Sequence, residues 1–177
     1  MSRLQPPSSE HWFGTDEMGR DIFSRVCYGA KYSLLISFVA ATFSLAVGLV
    51  LGALAGYYGG WIDMIIMRLM DVLLAIPGTL LAIAIVASLG SSIPNLIIAL
   101  SVSGIPGFSR IVRSSVLTVK DSEYVEAAKA IGATDSTIIF KHVLPNGMAP
   151  LIVQSTLRVA SVILTTAGLS FLGLGVP

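Results

Sequence analysis

An all-α integral membrane helical bundle is the fold class this sequence predicts, on three observations. Charged residues make up 12% of the 177-residue chain, about half the ~25% usual in soluble domains, and the mean hydropathy is +0.84. Uncharged stretches are long enough to cross a bilayer. The polar sequence between two of them is gathered into one compact island, Ser109 to Pro145. A chain of this size cannot bury so much apolar surface within itself, so the solvent must be lipid. The net charge of +1 provides no basic patch for a nucleic acid, which is excluded as a partner. Cys27 is the single cysteine, so no internal disulfide forms. The first thirty residues hold no apolar run after a basic start, so no cleavable signal peptide is read there.

Residues 1–32 read as an extracytoplasmic segment, and 33–177 as a transmembrane domain of four spans. Ser33 to Ala55 is 23 residues without a charge, enough at ~1.5 Å per residue to cross a ~30 Å core. Val72 to Ser109 is 38 uncharged residues, right for two spans separated by the turn-rich Gly90 to Asn95. Pro77 and Pro106 should bend or interrupt them. The last span runs from about Ala149 to Val176 and carries one charge, Arg158.

Orientation follows from Lys and Arg near the span ends. Arg110, Arg113, Lys120, Lys129 and Lys141 fall in the island and none falls in Gly90 to Asn95, so the island is cytoplasmic and that turn lies outside. Counting back puts the N-terminal segment outside, although it holds Arg3, Arg20, Arg25 and Lys31. A further span upstream would resolve that conflict.

Small residues mark where helices touch. Ala40, Ser44, Gly48, Gly52, Gly56 and Gly60 recur every four residues, one slowly drifting face of the first span. Another backbone can approach closely there, and dispersion drives packing that lipid cannot outcompete.

The island, 109–145, is too well organised for a passive connector. Asp121 or Ser122 can cap a helix whose first turn holds Glu123 and Glu126, where the helix dipole favours anions. Gly132 is a natural stop, since glycine enters the left-handed conformation without steric cost. Thr134 can cap a second helix with Asp135 in its first turn, and Pro145 ends it. Helix, glycine turn, helix is a compact docking surface.

The series Glu126-Ala127-Ala128, three residues, Gly132, eleven residues, Leu144-Pro145 resembles the cytoplasmic loop of permease subunits of bacterial ATP-binding-cassette importers. His11 to Asp21 (HWFGTDEMGRD), Leu169 to Gly175 (LSFLGLG) and His142 narrow the resemblance to the second permease of dipeptide, oligopeptide and nickel importers. It implies the type I importer permease fold (MetI-like) with six spans, of which this chain carries four and lacks the first and last. It also implies a second permease subunit, separate ATPase subunits and an extracytoplasmic substrate-binding protein as partners, beside the lipid bilayer. The cargo would be a di- or oligopeptide, with nickel as the alternative. Glu126, Ala127, Ala128, Gly132, Leu144 and Pro145 would form the ATPase-coupling loop. Ala127 and Ala128 would let its helix sit deep in a groove.

The residues themselves agree on energy: no Gly-x-x-x-x-Gly-Lys-Ser/Thr loop occurs, so nucleotide chemistry is expected on a partner, and no cofactor or enzyme activity on this chain. An intramembrane hydrolase built on Ser170 would need a base, and the two histidines, His11 and His142, stand elsewhere in the chain. Metal-ligand spacing is missing. A free-standing channel leaves the island unexplained. Arg158 at a helix centre costs roughly 2.5–3.5 kcal/mol on insertion scales. Snorkelling or a neighbouring partner is the plain account of it; lining the pathway with Gln154, one turn earlier, is the alternative.

Overall fold

The computed structural model describes residues 3–174, so Gly175 and Val176, where the terminal motif and the last span were read to end, lie outside it. The chain divides into two compact units, Met1–Ile36 and Ser37–Pro177.

In the first unit the Gly-Thr-Asp-x-x-Gly-Arg-Asp sequence folds around two carboxylates. Asp16 Oδ1 accepts the amides of Met18 and Arg20, each at 2.9 Å, and Oδ2 pairs with Arg20 Nε at 2.9 Å and Arg25 Nη1 at 2.5 Å. The backbone can wrap so tightly because Gly14 and Gly19 have φ of +74° and +76°. A Cβ at Gly14 would also run into the Gln5 carbonyl. Asp21 accepts the Ser24 amide at 2.7 Å, capping α1 (Ile22–Tyr58), and meets His11 Nδ1 at 3.1 Å. Two of the four cations that oppose the orientation rule, Arg20 and Arg25, thus share one aspartate, which offsets half of their charge. The Arg20 amide, foremost, holds the Asp16 carboxyl well below the usual 3.8. The Ser24 hydroxyl and amide lower that of Asp21.

The second unit comprises the rest of α1 with α2 (Gly60–Leu74), α3 (Gly78–Leu89), α4 (Ile93–Val119), α5 (Glu123–Ala130), α6 (Asp135–Thr137), a π-helical segment (Ile138–Val143), α7 (Leu144–Asn146) and α8 (Met148–Phe171). Among the described residues, α1, α4 and α8 are each long and apolar enough to cross a membrane. A fourth span exists only if α2 and α3 count as one, and they meet at 80°. The span read to begin at Val72 is therefore not one rod. Pro77 breaks it, standing at the N-cap of α3 with ψ of 129°, outside helical range. Alone, α3 is 12 residues, about 18 Å, too short for a ~30 Å core. Pro106, expected to act likewise, lies within the unbroken run of α4. That helix continues to Val119, ten residues past the expected span end at Ser109, and α8 stops at Phe171. Gly173, at φ +76°, closes α8 as its amide bonds the Ser170 carbonyl and Leu174 reaches Leu169.

The small-residue face of α1 meets α4 backbone to backbone. A Cβ at Gly48 would stand 2.5 Å from Phe108 Cβ, and one at Gly52 would stand 2.5 Å from the Ser109 carbonyl and 2.6 Å from Val112 Cβ. At Gly56 it would stand 2.8 Å from Val116 Cβ. Ser44 lies on the same face and donates to the Ser101 carbonyl at 2.7 Å. Gly60 does not continue the stripe. It follows the end of α1, has φ of +51° and open space where a Cβ would go, so backbone conformation rather than packing requires glycine there.

Gly52→Ala should therefore lower the stability of the assembled protein by about 1–3 kcal/mol through overpacking, and Gly52→Leu should prevent assembly. Leu51→Ile should change little. Thermal unfolding and yield in detergent measure this, and equal behaviour of Gly52→Leu and Leu51→Ile would refute the packing face.

For the first unit, a depressed carboxyl contributes stability that is present above 3.8 and is lost as pH falls through the folded value. Amide protection at Met18 and Arg20 should persist to pH values below 3.8 and disappear at stronger acidity. Asp16→Asn should abolish it at neutral pH. Early loss in the parent, or retention in the variant, counts against the carboxylate as organiser.

Candidate functional site

The island folds as helix, glycine, helix, with details its residue types do not disclose. Ser122 occupies the N-cap of α5 but offers no side-chain cap; its hydroxyl donates instead to the Val119 carbonyl at 2.6 Å. Gly132 takes φ +81° in open space, so its freedom serves the chain reversal. Thr134 Oγ1 accepts the Thr137 amide at 3.4 Å, and Asp135 follows in the first turn. Pro145 does not end the second helix. It sits in the first turn of α7, which continues directly from a preceding helical segment, and Gly147 separates α7 from α8. Ahead of it the helix widens to π geometry, Leu144 donating to the Ile139 carbonyl five residues back. A proline at 145 cannot donate to residue 141, and a widened turn accommodates that loss.

One side of the island is anchored. Val125, Ala128, Ile138, Val143 and Leu144 join one apolar cluster with Ala53 of α1, Val112 and Val116 of α4, and Leu151 of α8. Tyr57, near the end of α1, donates to Asp135 at 2.8 Å and carries Lys129 over its ring at 5.7 Å. The other side is bare: Glu126, Ala127 and Pro145 are exposed, and Ile131 and Phe140 are 86% and 63% exposed. The Ala-Ala pair is thus divided. Ala128 and Leu144 face the bundle, so neither can sit in an external groove. Tyr57, Ile131 and Phe140 escaped the sequence reading; Tyr57 lies outside the island, and an apolar residue type does not disclose which face of a short helix it occupies.

At the same end two arginines of α4 clasp α2. Arg113 holds Asp63 bidentately, Nε and Nη2 each 2.5 Å from a carboxylate oxygen, and Arg110 Nη2 lies 2.6 Å from Asp71.

A second polar locus lies between α3, α4 and α8. Arg158 does not snorkel toward an interface. Its Nη2 donates to the Leu100 carbonyl at 2.5 Å and to Ser103 Oγ at 2.9 Å, and its Nε is buried without a protein partner. Gly104 makes room for it, since a Cβ there would stand 2.7 Å from Nε. A cavity of about 210 Å³ adjoins the guanidinium. Gln154 is half-buried and is not part of that lining. Among the described residues no group of three or more His, Cys, Asp or Glu is placed to hold a metal.

Long apolar helices, a broken one among them, and a folded polar insert anchored to their ends are the architecture of a helical membrane protein. The chain belongs to the family described as "Binding-protein-dependent transport system inner membrane component", which matches residues 48–177. It is 55% identical over 174 residues to the dipeptide transport system permease protein DppC of Alkalihalophilus pseudofirmus, covering 98% of this chain and 57% of the relative. It is 48% identical over 169 residues to the glutathione transport system permease protein GsiD of Pectobacterium atrosepticum (96% and 56% covered), and 52% identical to that of Escherichia coli over the same length and coverage. The chain spans little more than half the length of these relatives. Its fold is similar to that of a chain in a structure of the MetNI methionine ABC transporter described as inward facing, with a TM-score of 0.72 at 22% identity over 85% of this chain and 75% of that one. An amino acid ABC transporter gives a TM-score of 0.61 at 18% identity, covering 87% and 77%.

Asp63→Asn should destabilise the α2–α4 contact by about 1.5–3 kcal/mol, since it removes a bidentate partner from a half-buried arginine. The half-exposed Asp71→Asn should cost under about 1 kcal/mol. Unfolding midpoints of the two variants test the ranking, and Asp71→Asn proving the worse would reverse it.

Proposed function

We propose that the chain is the permease subunit of an ATP-binding-cassette importer and forms the translocation pathway for ATP-driven import of di- or oligopeptides. It would be a multi-pass protein of the bacterial inner membrane. Its partners are a second permease subunit, ATPase subunits that carry the nucleotide chemistry, and an extracytoplasmic binding protein that delivers cargo. Family membership and the permease names of relatives near 50% identity support this, and both names that specify a cargo specify a peptide.

The two-sided island is the observation that carries the mechanism. Its inner face is welded by apolar contacts to the ends of α1, α4 and α8. Its outer face offers Glu126, Ala127, Ile131, Phe140 and Pro145. An apolar knob beside a helix N-terminal carboxylate suits a groove on an ATPase subunit. A push on the outer face is transmitted to three helices at once, because the inner face has no slack. Closure of the ATPase pair on nucleotide would then rock the bundle and expose the pathway to one side at a time. In this role Ala128 and Leu144 hold the island to the bundle, Gly132 sets the angle between its halves, and the glycine face of α1 keeps the moving helices together. Arg158, with Gln154 a turn away, belongs to the pathway.

Gly132→Val should separate energy use from transport, because a β-branched residue at φ +81° is sterically costly while nothing around it clashes. In proteoliposomes holding the full transporter, ATPase stimulation by peptide-loaded binding protein and peptide uptake should both collapse while membrane insertion is unchanged. Glu126→Ala should weaken both only modestly, removing one charge-assisted contact. Parent-level stimulation and uptake in a normally inserted Gly132→Val transporter would remove the island from the coupling mechanism.

A further inference from the structure

We infer that the cavity beside Arg158 is a subsite for the carboxylate of the transported solute, holding the C-terminal end of a peptide midway across the membrane. The inference rests on the import reading above and adds to it a ligand chemistry and a place.

Counts along three helices, taken from both ends of the bundle, put the cavity at one depth. Arg158 is ten residues into α8, about 15 Å from the island end. Leu100 and Ser103 are seven and ten residues into α4, about 10–15 Å from the opposite end. Gly78, which opens α3, is eleven residues, about 16 Å, from Leu89 beside the Gly90 turn. Half of a ~30 Å hydrocarbon core is about 15 Å, so all three helices bring their polar groups near the midplane, where transporters of broken-helix design bind their cargo.

The chemistry at that depth has one sign. Arg158 keeps its charge at any physiological pH, and among the described residues it forms no ion pair: the acids of α2 are taken by Arg110 and Arg113. The protein meets Nη2 with a carbonyl and a hydroxyl, neither of which neutralises a cation. Gly78 and Thr79 add the N-terminus of α3 to the same lining. Pro77 caps it without a side-chain bond, so the positive end of the α3 dipole is left without a side-chain acceptor, the kind of end that favours an anion. Ser161 and Thr165 follow Arg158 at three- and seven-residue spacing on one face of α8 and complete a polar wall. Among the described residues no carboxylate lines the cavity, so it offers an ammonium group no opposite charge. At about 210 Å³ the cavity lies below the ~300–1,000 Å³ usual for sites that enclose a drug-sized ligand, room for a terminal residue and its carboxylate rather than for a whole oligopeptide.

The test is direct binding to the complete transporter in nanodiscs, assembled with the full-length permease and without binding protein. The probes are alanylalanine and its C-terminal amide, the same size and differing in the charge Arg158 would meet. The parent should bind the acid at least about tenfold more tightly than the amide, the loss expected for one charge-assisted contact. Arg158→Gln should bring the acid down to the level of the amide, while Arg158→Lys should keep part of the difference. Should Arg158→Gln fail to assemble, Ser161→Leu fills the cavity with the arginine in place and should abolish binding of the acid. Equal affinity of the parent for acid and amide, no binding of either, or discrimination that survives Arg158→Gln or Ser161→Leu would each overturn the subsite. Equal affinity is also the result expected if a carboxylate of the second permease already neutralises Arg158. The import reading is judged separately, by stimulation of the parent ATPase with peptide-loaded binding protein. Stimulation with equal acid and amide binding removes the subsite alone, and absence of stimulation removes the import reading.

Discussion

The contact between α1 and α4 is the constraint on which the rest of this structure depends. Lipid gives two apolar helices no hydrophobic reason to associate, so the pair must gain dispersion by bringing backbones together. Gly48, Gly52 and Gly56 make that possible, and the positions opposite them are side chains and carbonyls of α4 rather than empty space. Once the two helices are fixed, Ser44 reaches the Ser101 carbonyl, and Gly104 presents its open side to both Ser44 and Arg158. The guanidinium thus enters the cluster through a gap left by a glycine on the very helix that the stripe has positioned. Further along, the same pair supplies Ala53, Val112 and Val116, the floor on which the island rests.

The two ends of α4 are held differently. Near the island, Arg110 and Arg113 clasp α2 through short ion pairs, and apolar packing secures α5 and the π-helical segment. At the opposite end Ser92 caps the helix and the Asn95 amide bonds the carbonyls of Leu89 and Gly90, closing the turn from α3. Helix α4 is therefore bonded to α2 and α3 on either side of their break. Pro77 separates those two helices, and their different attachments allow each to follow a different end of α4.

How much of this was legible depends on whether a residue's role is local. Gly132 and Thr134 act on their own backbone, and their types announced the reversal and the cap. The stripe from Gly48 to Gly56 was legible because spacing alone places it on one face. Gly60 shares the spacing but not the helix, since α1 ends two residues earlier, and periodicity carries no information about termination. Pro77 and Pro106 look alike in sequence. One interrupts a helix and the other lies within one, and residue type alone does not separate the two. Ala127 and Ala128 were indistinguishable by type, yet only the second faces the cluster. The partners of Arg158 lie 55 and 58 residues away in the chain, beyond any local pattern.

Two features of the second unit are costly in lipid: a helix broken at Pro77, whose first amides lack side-chain caps, and an arginine with no acid beside it. Each taken alone would be a defect to be tolerated. Placed on one cavity they have the same sign, so neither relieves the other, and the protein offers only a carbonyl and a hydroxyl in compensation. A structure that merely needed to hold α8 against α4 could do so with an apolar side chain and at lower cost, because a buried ion contributes little net stability even when paired. On the proposed carboxylate subsite, the expense is recovered when an anion is present. An empty cavity then raises the energy of the resting protein, while a carboxylate lowers it. That difference between empty and loaded states is what a pathway requires if it is to move more readily with cargo than without.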